Sequence, residues 1–477
     1  MTVLTRERRS SSLTAVVVLV GILVVPMSIS GSAVALPRIG ADLQASGAAL
    51  QWVMNAYNLT FASFMLVSGS LADLFGRRKV FALGAAVFAL GSVLGAAAQD
   101  IWLLDAARAL SGVGAAGVFA GGAAILATTF DGPARTRAFA ALGVVAGIGL
   151  ALGPTISGWL VGGLGWRALF LLNAFVLVVA LAGSALMPES RAAERPAVDV
   201  KGAVLFVAGL ALLTVGVVQG SESGWGSPPV LALLAAAVAL FVIFARTAGR
   251  TANPILDLRL LRNRRFLAVS LVPVATSFGF VTLLTFLPTY LISVNGVSAQ
   301  GAGAWMLMLT APVLIVPTIG GALVNRGVSA RGLVTGGVLL FAVGNAWLAL
   351  VDPSSGFAGL AGPLMVIGAA VGLLFGVGDG MAMSMVEPEK AGMAAGFFNT
   401  MRIGSEAVVI AVFGSMLLTL IQARVGDAEL AGRVAAGAGG RLAADFTGAF
   451  HTLLWGIAAI CLAMAAGIHA MLKPARG

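Results

Sequence analysis

An all-α protein that crosses a membrane fourteen times is the fold this sequence predicts, and three observations predict it. Of 477 residues, 59% are hydrophobic and only 10% charged, against about 25% charged in soluble domains, so a water-facing surface cannot be built from this chain. Glycine supplies 63 residues scattered through apolar runs, a distribution that lets helices pack closely in lipid. The basic residues lie in short segments between apolar runs, so the net charge of +10 points to lipid headgroups and topology rather than to nucleic acid. Cys461 is the only cysteine, which excludes a disulfide within the chain.

A bilayer core of about 30 Å takes roughly 20 apolar residues in a helix. Runs near that length fall at 13–36, 50–71, 80–98, 102–127, 138–164, 168–187, 202–218, 230–245, 266–294, 303–324, 332–351, 360–386, 394–421 and 447–472. The seventh and eighth are the shortest. The first is too long for the h-region of a signal peptide, despite Arg6, Arg8 and Arg9 before it and Ala33-Val34-Ala35 near its end. Counting Arg402 with the segment before span 13, 23 of the 29 Lys and Arg lie on the side of the termini and five on the other. This asymmetry predicts that both termini and 250–265 are cytoplasmic and that 423–445 is external.

The segment 188–199 and the Arg-rich 246–265 divide the spans into six, two and six. This predicts an N-terminal bundle (1–187), a linker with two extra helices (188–265) and a C-terminal bundle (266–477). After span 2 the chain reads Gly69-Ser-Leu-Ala-Asp73-Leu-Phe-Gly76-Arg77-Arg78-Lys79, and after span 10 it reads Gly321-Ala-Leu-Val-Asn325, closing on Arg331 at the same spacing. Loops at equivalent places in two six-helix groups suggest a parallel repeat, as in transporters with pseudo-symmetric halves.

The first of these loops places an acid and three bases at a helix exit. Anchoring by positive charge needs neither Asp73 nor Gly69 and Gly76. The loop resembles the signature of the major facilitator superfamily, matching its Gly, Ala-Asp, Gly and Arg-Arg/Lys positions. The resemblance implies two six-helix bundles around a central cavity and makes Asp73 and Arg77, with Arg78, a gating latch between the halves.

Span 4 holds Asp105 and Arg108, followed by Ser111-Gly112-Val-Gly114. A charge in a span is costly unless paired or facing a cavity, and residues three apart on a helix can meet, so a self-neutralised pair is one reading. The other is a transport role, since Arg108 and the small residues resemble the superfamily's span-4 motif, with Ser111 in place of its usual Gln. Span 5 reads Gly149-Leu-Ala-Leu-Gly153-Pro154-Thr-Ile-Ser157-Gly158, where Pro kinks a helix and spaced glycines allow close crossing. It is similar to the antiporter motif of exporters in this superfamily, with Ser157 in place of Gly, and that similarity favours export over uptake.

Span 2 opens with Gln51, Trp52, Asn55, Tyr57 and Asn58, too polar for a lipid face; they either hold helices together or line a cavity. This stretch, Asn399 to Arg402 in span 13 and Ala35-Leu36-Pro37 resemble the fourteen-span drug:proton antiporter family. Many members carry an acid in span 1 where this chain has Ser28. The remaining buried carboxylates are Asp379 in span 12 and Glu406 in span 13, beside Asp105 with Arg108. Burial disfavours a charged carboxylate, so Glu406 is expected to carry the coupling proton, the alternative being a pair with Arg402 one turn away. Phe278, Phe286 and Trp305 are candidates for an apolar substrate surface, or ordinary core. His451 and His469 read as interfacial.

No lysine follows the glycine that a phosphate loop requires, so an ion gradient is the expected energy source. The sequence predicts a monomeric carrier in the bacterial inner membrane, without cofactor or metal, that exports hydrophobic or amphipathic small molecules in exchange for protons. The rivals are an uptake carrier and a non-transporting sensor.

Overall fold

The computed structural model describes residues 2–130, 132–191, 199–251, 254, 263–384, 391–436 and 442–473. The helices are α1 (Thr2–Leu43), α2 (Gly47–Phe75), α3 (Arg77–Ala97), α4 (Ile101–Thr129), α5 (Gly132–Gly163), α6 (Arg167–Ser184), α7 (Val200–Ser223) and α8 (Pro228–Ala248). They continue with α9 (Arg264–Ser270), α10 (Val272–Thr276), a π-helical turn (Ser277–Val281), α11 (Thr282–Ser293), α12 (Ala299–Trp305), α13 (Leu307–Asn325), α14 (Ala330–Leu348), α15 (Gly356–Ser384), α16 (Ala391–Val425), α17 (Ala428–Ala435) and α18 (Ala443–Met471). Among the described residues, 13 are single helices or helical groups long and apolar enough to cross a membrane, or 14 if the two limbs of α2, bent by 48°, form one span. Large apolar side chains such as Leu83, Leu90, Phe175 and Val238 face outward, as lipid requires and water would not permit over such an area.

Several polar side chains start these helices by accepting the free backbone N–H groups of the first turn. Asp100 accepts from Leu103 N at 2.9 Å, Asp199 from Gly202 N at 2.8 Å and Asp427 from Leu430 N at 2.7 Å. Three expectations about spans change. α7 and α8 run to 24 and 21 residues, because Gln219 and Arg246 continue the helices past the apolar runs. Spans 9 and 10 are each broken, at Leu271 and Met306. The segment 423–445, expected as a loop, contains the short helix α17.

Within the first six helices, α3 packs on α4 and α6, α2 on α4, and α1 on α5. Within the last group, α15 packs on α13 and α14, and α14 on α18. The α7–α8 pair lies against α2 and α16, where Val217 and Val218 bury Ala48 and Ala411. Loops at equivalent places make equivalent contacts: Arg78 Nη1 donates to the Met187 carbonyl at 2.9 Å, just past α6, and Arg331 Nη2 donates to the His469 carbonyl at 3.0 Å in α18. His469, read as interfacial, is thus tied to the start of α14; its Nε2 lies 2.8 Å from Arg331 Nη2.

Candidate functional site

The face from which α1 departs and to which α18 returns is here the near face, and its opposite the far face. One face of α5, running through Gly143, Gly147, Ala151, Pro154 and Gly158, meets the α12–α13 pair. At the far end the two backbones touch: a Cβ on Gly158 would lie 2.5 Å from the Ala299 carbonyl oxygen, and a Cβ on Gly303 would lie 2.5 Å from that of Pro154. Thr155 Oγ1 donates to the Gly303 carbonyl at 2.9 Å, and Thr310 Oγ1 to that of Ala151 at 3.0 Å. Towards the near face the gap widens. Among the described residues, a Cβ on Gly147 would find Leu314 at 4.0 Å, and one on Gly143 would find nothing within 4 Å. Across the other seam, Gln51 Nε2 of α2 donates to the Gly414 carbonyl of α16 at 3.2 Å, whereas near the other end of α2 a Cβ on Gly69 would meet nothing within 4 Å among the described residues. As far as the described residues go, the two helix groups form a wedge, shut at the far face and parted at the near face.

The opposite side of α5 is fixed to α1. Gly149 and Gly153 abut the Leu23 and Met27 carbonyls, and Ser157 Oγ donates to the Gly31 carbonyl at 2.6 Å. Serine at this motif position therefore adds a helix-to-helix bond that glycine could not make.

In α4 the self-neutralised Asp105–Arg108 pair, one of the two readings of this span, is not among the ion pairs of the described residues. Arg108 is buried, donating from Nε to the Val53 carbonyl at 2.8 Å and from Nη1 to Ser28 Oγ at 2.9 Å. Its guanidinium also lies 4.2 Å from the Tyr57 ring centroid. Acceptors and a ring on α1 and α2 outcompete a carboxylate one turn back on its own helix. Ser28, which stands where an acid was expected, is one of those acceptors. Asp105 is 8% exposed and, among the described residues, neither of its carboxylate oxygens accepts a hydrogen bond. Ser111 bonds back to Ala107 of its own helix at 2.8 Å.

Glu406 sits near the middle of α16 and is half-buried. The Arg402 guanidinium, one turn away, lies over Phe375 (4.9 Å) and Phe398 (5.3 Å). Next to Glu406, Ser405 Oγ lies 2.9 Å from Ser277 Oγ, where span 9 turns π-helical. Such turns occur often at functional positions. Asp379 lies in α15 and Asn399 in α16, with side chains outside the described residues.

The loop between α2 and α3 is built around Gly76, whose φ of +117° favours glycine over any residue with a Cβ. Arg77 Nη2 donates to Asp73 Oδ1 at 2.9 Å. Glu189, absent from the sequence-based candidates, accepts from Arg78 N at 3.1 Å and faces Arg78 Nε at 3.8 Å. Its carboxylate occupies the N-terminal end of α3, where the helix dipole favours negative charge. Its signal was Pro188-Glu189-Ser190-Arg191 immediately after span 6. Among the described residues, the ion pairs of this loop stay within the first six helices and the segment following them.

Of the cavity candidates, Asn55 and Phe286 come together with Gln51 in a cleft at the closed far seam. Tyr57 is withdrawn into the core by Arg108 and by its own bond to the Val25 carbonyl at 3.1 Å. Asn58 is buried. Trp52 packs on the α7 cluster, Phe278 lies against the core, and Trp305 meets Phe357 edge-on at 5.6 Å.

Residues 18–409 match the family model described as Major Facilitator Superfamily. The chain is 36% identical over 397 residues to the "Cephamycin export protein CmcT" of Amycolatopsis lactamdurans, covering 80% of this chain and 79% of that protein. It is 33% identical over 392 residues to the "Puromycin resistance protein pur8" of Streptomyces alboniger, covering 80% and 77%. Among solved structures, a bacterial homologue of the human lysosomal transporter Spinster, in an inward-facing and unoccupied conformation, shares the fold with a TM-score of 0.67 at 15% identity, over 98% of this chain and 96% of that one. A multi-pass membrane protein of all-helical transporter fold, the chain belongs to the major facilitator superfamily.

Proposed function

We propose that the protein is a secondary active exporter of hydrophobic or amphipathic small molecules of antibiotic type, working by alternating access in exchange for protons. The observation that carries this reading is the wedge: two helix groups touch through backbone at the far face and part at the near face, which is one of the two states alternating access requires. The similarity to proteins named for cephamycin export and puromycin resistance supports export of antibiotics. In this reading 1–187 and 266–477 are the moving bundles, and α7–α8 cover the α2–α16 seam between them. Asp73, Arg77, Arg78 and Glu189 form a gating loop whose link to the other bundle is released while the near face is open. The protein works as a monomer, with lipid, substrate and protons as its partners.

The near face, with both termini, lies in the cytoplasm of a bacterial inner membrane in this reading, and the positive-charge asymmetry supports that orientation. In a Cys461→Ser background, a cysteine at Glu429 is expected to react with an impermeant maleimide added outside, and one at Arg262 only after permeabilisation. Labelling of the Arg262 position from outside would invert the orientation.

Export itself is tested in an efflux-deficient bacterial host carrying the gene, challenged with puromycin, a cephamycin and a polyketide antibiotic. The expected result is resistance to at least one, with lower cell-associated drug that rises when an uncoupler is added. Greater accumulation in expressing cells would indicate uptake instead, and no difference for any compound would count against the reading.

A further inference from the structure

A cleft lies at the closed far seam, where α1 and α2 face α11, α16 and α17. Its apolar walls include Met54, Phe286 and Ala435, and its polar side chains are Gln51, Asn55 and Thr289. Among the described residues, no charged side chain lines it. Gln51 donates through Nε2 to the Gly414 carbonyl, which fixes the amide orientation and leaves Oε1 as an acceptor. That Oε1 is buried without a hydrogen-bond partner, as is Oδ1 of Asn55, which is 2% exposed. The two residues are four apart on α2 and so lie one above the other on one helix face.

Two buried acceptors without donors, in an apolar cleft with an aromatic wall and no anion, select a particular chemistry. A cation would find no counter-charge there, and a purely apolar molecule would leave both oxygens unmet. We infer that this cleft is an exit-side binding site for neutral apolar molecules bearing O–H or N–H donors, with Gln51 and Asn55 as its hydrogen-bond acceptors. The inference rests on the export reading for its physiological role, because the walls belong to both helix groups and the Gln51–Gly414 bond must break as the far face opens. A ligand held there would be released outward by that motion.

Binding is tested on the full chain in lipid nanodiscs, independently of transport, with 2-naphthol and 2-methoxynaphthalene, which differ in the single O–H donor. Binding to empty nanodiscs is subtracted. The wild type is expected to bind 2-naphthol about fivefold more tightly, the worth of one net hydrogen bond. Gln51→Met and Asn55→Leu should each reduce that ratio towards one while leaving 2-methoxynaphthalene binding little changed. A packing role alone would weaken both probes together and leave the ratio intact. Equal binding of the two probes by the wild type, or an unchanged ratio in both variants, would mean that water meets these acceptors and would overturn the inference. Should export fail in cells while the ratio behaves as expected, only the export reading falls.

Discussion

Leucine in place of Gly158 is expected to bias the protein towards the state open at the far face and to lower uphill efflux about tenfold or more. The contact at Gly158 is backbone against backbone, since a Cβ there would lie 2.5 Å from the Ala299 carbonyl oxygen and 3.2 Å from the Gly303 Cα. No side chain can swing away to make room. Overpacking of this kind costs about 1–3 kcal/mol, and because the clash exists only when the far seam is shut, the cost falls on that state alone. At 1.4 kcal/mol per factor of ten, the equilibrium shifts by about fivefold to a hundredfold. The reporter is a cysteine at Met306, fully buried one turn beyond Gly303, in the Cys461→Ser background. Its reaction with an impermeant reagent applied at the far face should accelerate by a similar factor. Gly143→Leu is the control: it lies on the same face of α5 where, among the described residues, nothing stands within 4 Å of a Cβ, and should change labelling little. Equal labelling rates for Gly158→Leu and the wild type would mean that this crossing is not the seal.

Much of the architecture was legible because a membrane span has a length requirement that composition alone reveals, and each of the fourteen apolar runs corresponds to a helix or helical group. Periodicity and hydropathy do not report where a helix ends, however. α1 runs from Thr2 to Leu43 and α7 reaches Ser223, because polar residues continue a helix into the headgroup region. The break in span 9 was hidden, since the π-helical turn at Ser277–Val281 is composed of ordinary apolar and small residues. Its Gly279 carbonyl is met by the buried Asn345 amide at 3.0 Å, a partner 66 residues away in sequence.

The site was legible where a residue type is costly to keep and illegible where its partner is remote. Arg108 and Asp105 stood out as charges within a span, but spacing on one helix suggested that they meet. The structure instead gives Arg108 to Ser28 and Val53 on neighbouring helices. Glu189 looked like part of a connecting segment and Gln51 like the polar start of a span. Only the fold brings Glu189 to the first turn of α3 and Gln51 across the seam to Gly414.

Proton exchange is the central claim of the mechanism, and Glu406 is the residue proposed to carry it. A coupling acid must be dehydrated enough to favour its neutral form and yet be reached by water in at least one state. Glu406 sits mid-way along α16 and is half-buried in this state, and we assign it that role. Arg402, one turn away, is held over Phe375 and Phe398. Asp105 is the second reading, favoured by its burial and by carboxylate oxygens that accept no hydrogen bond among the described residues; in this state it is closed off from water.

Glutamine at 406 mimics the protonated carboxyl and cannot release a proton. The variant should still bind substrate and exchange it down its gradient, while losing accumulation against it. The direct measurement uses inverted vesicles with an acid interior imposed, following uptake of whichever antibiotic the wild type exports, and compares Glu406→Gln with Asp105→Asn and Asp379→Asn. The account predicts that the wild type concentrates the compound and that Glu406→Gln only equilibrates it. Proton-driven accumulation at the wild-type level by Glu406→Gln would contradict the assignment, and a simultaneous loss in Asp105→Asn would move the proton to α4.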